Sequence, residues 1–282
     1  MDLKSEIKEF SRSEGASLVG VGSVDRFRGA PEGHGPLDFI EEAKSVIVVG
    51  IKIPDAIVEY SSYAYKFRGT PWWASSPTPT GNWITAMREN VYLLLGHFNI
   101  DIMLNNLAIR IALKLEDAGY RSMPTPNTNS TGVGYPVSHL TNYFAPFSQR
   151  HAAVRAGLGE FGFNNIVLTP QFGPRLRFVS VITQALLEPD PLLSEKVCLR
   201  EKCDVRGPRC LQACPAGAIQ LREGIDHTAS FIDTPSKTDA RLCGIIPEEG
   251  AVPPGAHARP ACIYYGQCLS RCPVGAKKVT QR

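Results

Sequence analysis

The sequence predicts an α+β fold in two parts, a large mixed domain over residues 1–190 and a small cysteine-rich domain over 191–282. Three observations predict it. Leu18–Val21 and Ser45–Ile53 (SVIVVGIKI) are short apolar runs rich in β-branched residues, the pattern of buried strands. Ile100, Met103, Leu104, Leu107, Ala108, Ile111 and Leu115 recur at three- and four-residue spacing, the period of an amphipathic helix. All eight cysteines lie from Cys198 onward. A chain of 282 residues is long enough for one sizeable core and a smaller appended unit.

Taken in order, residues 3–13 read as a short helix, and Pro36–Ala43 as a second one between the two strands. Pro54 closes the second strand, because proline has no N–H to give the ladder. Residues 60–82 are aromatic and then rich in Pro, Ser and Thr, the composition of a long loop that covers a ligand or packs on the core. Residues 83–118 carry the helical period, with a break near Gly96–Asn99. Gly119 suits the left-handed position after the last turn. Residues 120–138 are again irregular. SQRHAAVRA (148–156) is a helix that ends at Gly157. Asn165–Thr169 and Arg175–Gln184 read as strands joined by a PQFG turn, an antiparallel hairpin. The Pro189–Pro191 segment reads as a hinge.

The cysteines fall in two groups. The first is Cys198-x4-Cys203-x6-Cys210-x3-Cys214-Pro215; the second is Cys243, then Cys262-x5-Cys268-x3-Cys272-Pro273. Two sets of four thiolates, each closed by Cys-Pro, are the ligand pattern of two [4Fe–4S] clusters in a ferredoxin-like domain. In such domains the cysteine before proline serves the other cluster. One cluster then takes Cys198, Cys203, Cys210 and Cys272, and the other takes Cys243, Cys262, Cys268 and Cys214. Two alternatives remain beside it. Zinc sites of four cysteines usually show short paired knuckles, and a disulfide framework belongs to small secreted domains.

The net charge of +3 does not by itself require a nucleic-acid partner. From residue 198 onward there are 12 Lys+Arg against 8 Asp+Glu, and before it 18 against 19. An oxidised cubane with four thiolates carries about −2, so the basic excess offsets cluster charge. No stretch approaches the roughly 18 apolar residues of a membrane span. The N-terminus has neither a signal peptide pattern nor a twin-arginine start. With free thiolates, this leads us to expect a cytoplasmic location.

Gly157-Leu-Gly159-Glu-Phe-Gly162 matches GxGxxG. A dinucleotide site needs a strand before and a helix after it; here the order is reversed. The glycines serve either a tight helix-to-strand turn or the approach of the backbone to something bulky. Glu160, inside the turn, is expected to be exposed.

The segment RHAAVRAGLGEFGFNNIVLTPQFGPRLRFVSVITQA (150–185), followed by LEPDPLL and the cysteine array, resembles the epoxyqueuosine reductase and reductive dehalogenase superfamily. VGVGSVDRF and SVIVVG fit it as well. The resemblance implies a cobalamin-binding domain of nitroreductase-like architecture beside the two clusters. It implies that electrons pass from a ferredoxin or flavodoxin through the clusters to base-off cobalamin, which reduces a substrate while an acidic side chain supplies a proton. No D-x-H-x-x-G pattern offers a histidine to cobalt; Asp226-His227 does not fit it.

Epoxyqueuosine reductases carry an Asp as proton donor where this chain has Tyr143, whereas reductive dehalogenases use a Tyr. The resemblance therefore makes Tyr143 the candidate acid, with a core tyrosine beside Phe144 and Phe147 as the bland alternative. A tyrosine with pKa ~10 is protonated at neutral pH and needs only placement. His151 and Arg155 lie four apart on one helix face. With Gly157, Gly159, Gly162, Asn164, Asn165 and Arg175 they are the candidate cofactor contacts; solvated or ion-paired surface roles are the alternative. The remaining histidines, His97 among them, read as structural or exposed. The expected activity is a corrinoid-dependent iron–sulfur reductase acting on a small organic substrate. A non-catalytic corrinoid-binding or electron-transfer partner is one alternative. A tRNA-acting epoxyqueuosine reductase is the other, weakened by the missing helical repeats of that enzyme.

Overall fold

The computed structural model describes residues 2–66, 91–127, 146–214, 217–222, 234–239 and 266–276. A four-stranded antiparallel sheet organises the larger part, in the order β1 (Leu18–Ser23), β2 (Ser45–Lys52), β6 (Leu176–Thr183), β3 (Ser122–Pro124). Strand β2 pairs with β6 from Ser45 opposite Thr183 to Lys52 opposite Leu176. Successive strand residues face opposite sides of a sheet. Ile47, Val49 and Ile51 of β2 therefore join Val179 and Val181 on one face. That face packs on α1 (Leu3–Ser13) and on Leu104, Leu107, Ile111 and Leu115 of α4 (Ile100–Asp117). Val46, Val48, Phe178 and Ile182 form the other face, covered by Ala152, Ala153 and Val154 of α5 (Gln149–Arg155). Covering both faces explains why SVIVVGIKI is an unbroken apolar run.

The helical period at 100–115 is thus the core side of α4 with one correction, since Met103 is exposed, and Gly119 takes φ +88 where it was expected. A π-helical turn, Tyr92–Asn99, precedes α4 where the break was read. Ser122–Pro124, in the segment read as irregular, is the edge strand β3 on β6. Three further expectations are corrected. The second helix, α2, spans only Pro36–Phe39, and Ile40 is already extended. The segment read as loop from residue 60 is still helical, since α3 runs Asp55–Lys66. The expected hairpin does not form. Strand β5 (Val167–Leu168) pairs with β4 (Glu160–Phe161), and across the PQFG turn only Thr169 and Gly173 bridge. The longer β6 finds more ladder bonds with β2 than this short neighbour could offer.

The expected hinge is bolted to the sheet. The Asp190 N–H donates to the Val21 carbonyl at 2.8 Å, and the Asp190 carboxylate accepts the Val21 N–H at 2.8 Å. Lys4 and Lys8 sit 2.9 and 2.6 Å from its carboxylate. Burial alone would raise the Asp190 carboxyl, but the two lysines and the Val21 N–H outweigh it and hold it below the usual carboxylate range. A depressed folded pKa contributes stability above the unfolded value, ~3.9, and that stability is lost as pH falls through the folded pKa. Asp190→Asn should cost about 1–2 kcal/mol at pH 7, discounted for partial exposure. Urea melts of the two proteins should converge as pH drops below ~4.

Candidate metal centre

Cys198, Cys203 and Cys210 of the first group and Cys272 of the second line one pocket. Cys203 ends a 3-10 turn, Arg200–Cys203; Cys210 lies in α6 (Arg209–Ala213); Cys272 follows α7 (Gln267–Ser270). Helices α6 and α7 pack on each other, which brings the segment of Cys268 and Cys272 to that of Cys210. Phe163, Asn164 and Arg200 are among the other residues of the wall. The four cysteines are the set that crossed ligation predicts for one cubane. Cys214 and Cys268 are described outside this pocket, and the Cys214 sulfur accepts the Ala218 N–H at 3.2 Å. Cys243, Cys262 and Tyr143 lie outside the described residues.

Burial, reinforced by the other thiolates, pushes the Cys210 thiol up to about 12. Burial, with Cys198 and Cys203 beside it, pushes Cys272 up to about 11. Burial likewise raises Cys198. Buried thiols such as Cys210 and Cys272 ionise only with positive charge beside them. Iron would supply that charge, since a thiol must deprotonate to bind a metal. Among the described residues no group of three or more His, Cys, Asp or Glu is placed to hold a metal ion. In a cubane each thiolate binds its own iron, so the sulfurs surround a volume instead of meeting at a point. The pocket fits a [4Fe–4S] cluster.

Glu160 is fully buried, which corrects its expected exposure. Its Oε1 accepts the N–H groups of Val197 and Cys198, at 2.7 and 2.5 Å, and so fixes the start of the first cysteine group. Arg175 is also buried, and donates from Nη1 to the Val274 carbonyl (2.7 Å) and from Nη2 to that of Cys272 (3.2 Å). Gly173 and Gly275, both at positive φ, interlock there. A Cβ on Gly173 would fall 2.0 Å from the Val274 carbonyl, and one on Gly275 2.2 Å from the Phe172 backbone. Thus LTPQFGPR is the cradle of the CPVGA loop. That motif was legible as a motif; its contact with the distant cysteines was not.

The other candidates divide. Asn164 donates to the Cys268 carbonyl at 3.4 Å and lines the pocket. Arg155 donates from Nε to the Arg26 carbonyl at 2.6 Å and stacks over Phe27. His151 meets Ser148 Oγ at 2.7 Å and the Phe161 ring at 4.9 Å. The open sides of Gly157, Gly159 and Gly162 face the Pro191 carbonyl, the Leu168 carbonyl and the Leu168 side chain. These contacts account for the glycines through the turn itself. Asn165, at φ +56, has a buried Oδ1 without a hydrogen-bond partner. His97 is buried against Asp101 at 3.3 Å, and Arg177 pairs with the same carboxylate, a structural cluster under the sheet. Burial, helped by Arg177, lowers the His97 pKa and keeps it neutral at pH 7.

No protein-family model matches the chain. Tetrachloroethene reductive dehalogenase of Desulfitobacterium hafniense is 37% identical over 113 residues, 40% of this chain and 17% of that protein. Its counterpart in Sulfurospirillum multivorans is 29% identical over 160 residues, 55% of this chain and 26% of that protein. The chain therefore matches well under a third of the length of these curated relatives. Among solved structures, an epoxyqueuosine reductase with a modified tRNA-Tyr stem loop overlays at TM-score 0.56 and 19% identity, covering 97% of this chain and 65% of that one. A catabolic reductive dehalogenase with 3-bromo-4-hydroxybenzoic acid overlays at 0.58 and 19%, covering 96% and 31%. The fold is that of both groups, and the resemblance read from the sequence is borne out in both comparisons. Among the described residues no helix is long and apolar enough to cross a membrane.

Proposed function

We propose that this chain is a corrinoid-dependent iron–sulfur reductase that acts on a small organic substrate. The observation that carries the reading is the meeting of Cys272 with Cys198, Cys203 and Cys210 in one pocket. Two further findings support it. The curated relatives matched in sequence are reductive dehalogenases, and Tyr143 stands where the resemblance puts a dehalogenase acid. When bound, the two clusters and the corrinoid supply the electron transfer and the reductive chemistry. Cys198, Cys203, Cys210 and Cys272 would hold one cluster; Cys214, Cys243, Cys262 and Cys268 would hold the other. A ferredoxin or flavodoxin is the donor in this reading.

The chain's own part is to seat the cofactors and to hold a proton. Arg175 and the Gly173–Gly275 contact fix the cluster loop. The orphaned Asn165 Oδ1 is an acceptor that a corrin side-chain amide N–H would satisfy. His151, Arg155 and the Gly157–Gly162 turn border the same region of the chain in this proposal. The Tyr143 hydroxyl keeps its proton at neutral pH and donates it to the reduced substrate.

Anaerobic reconstitution tests the reading. The protein should bind about eight iron and eight sulfide and show a corrin absorption band that changes on reduction. With reduced viologen it should dehalogenate tetrachloroethene or a bromophenol, and leave an epoxyqueuosine stem loop unchanged. Iron-free protein, or one blind to cobalamin, sinks the proposal; turnover of the stem loop alone transfers it to the tRNA enzymes. Tyr143→Phe should retain the corrin spectrum and lose turnover by about a hundredfold or more.

A further inference from the structure

Arg200 has no role in what precedes, yet it occupies a costly position. It is 6% exposed and lines the pocket of Cys198, Cys203, Cys210 and Cys272. Its backbone sits at φ +53, which non-glycine residues rarely adopt. Its guanidinium lies over the Phe163 ring, 5.2 Å from the centroid. Nη2 is 3.7 Å from Glu160 Oε2, too long for a hydrogen bond, while Oε1 of the same carboxylate is taken by two backbone N–H groups. Nε and Nη1 are buried and have no hydrogen-bond partner. A guanidinium in that state requires acceptors. The thiols of an empty pocket are poor ones; the sulfides and thiolates of a cubane are anionic.

We infer that Arg200 donates to sulfur atoms of the cluster held by Cys198, Cys203, Cys210 and Cys272, and raises that cluster's reduction potential. The inference rests on the iron–sulfur reading of the pocket. Reduction adds one electron from the external donor and takes the cluster from about −2 to about −3, with no bond made or broken. A buried cation favours the more negative state, and hydrogen bonds to the sulfurs act in the same direction.

The test is an EPR-monitored redox titration of reconstituted full-length protein carrying Arg200→Met, Arg200→Gln or Arg200→Lys. In Arg200→Met one cluster should become roughly tenfold harder to reduce, a shift of about 59 mV for a one-electron couple, and the other should not move. Arg200→Gln, which keeps a donor without the charge, should fall between, and Arg200→Lys should stay near wild type. If Arg200→Met loses about four iron while Arg200→Lys keeps about eight, the requirement for charge at the cluster stands. Full iron content with an unmoved or raised potential in Arg200→Met overturns the inference. Equal loss of iron in all three variants also overturns it, because a residue that only holds the fold gives that result. Wild-type protein without iron overturns the functional reading itself, which keeps the two failures apart.

Discussion

Cys272→Ala is expected to bring the reconstituted protein from about eight iron to about four, and the cluster lost should be the one that Cys210→Ala also removes. The pairing is the point. Cys272 lies in the second cysteine group by sequence and in the first by space. Double variants separate the two ligation schemes. Under crossed ligation Cys210→Ala with Cys272→Ala strips one cluster and leaves about four iron, whereas Cys210→Ala with Cys214→Ala strips both. Ligation in sequence order predicts the reverse. Iron and sulfide assays with EPR of the reduced state read the outcome directly. Cys214 supports the crossed scheme from the other side, since it is absent from the pocket that Cys210 lines. Helices α6 and α7, which carry Cys210 and Cys268, pack on each other.

The sequence carried the core well because periodicity reports burial directly. The odd and even residues of SVIVVGIKI divide between two faces, and the stripe from Ile100 to Leu115, Met103 apart, packs on one of them. Ligand identity was legible for a chemical reason: few side chains bind iron, and their spacing is set by the cluster. The supporting residues were not legible. Arg175 and Glu160 act on backbone carbonyls and N–H groups of segments far along the chain. Such bonds leave no mark on residue type at the receiving end. Glu160 was misjudged because a carboxylate among glycines is usually solvated; its burial follows from a chain return at Val197 that no local pattern announces. The hairpin failed for a related cause, a competition between strands that only the assembled sheet decides.

Glu160→Ala should be the most damaging single change outside the cysteines, at about 3–5 kcal/mol of stability. Three losses coincide in it. The N–H groups of Val197 and Cys198 lose their acceptor in a partly buried site, and each unsatisfied group costs about 1–3 kcal/mol. The buried Arg200 loses the carboxylate beside it. A cavity opens where a fully buried side chain stood. Glu160→Gln separates these contributions, because its carbonyl still accepts from both N–H groups while the charge is gone. It should recover more than half of the loss in denaturant unfolding of the reconstituted protein. If Glu160→Gln is as unstable as Glu160→Ala, the charge pair with Arg200 dominates and the backbone anchor is secondary. If both variants match wild type, the Val197–Cys198 segment is held by the cysteine ligands alone, and the carboxylate has no part in presenting the first thiolate.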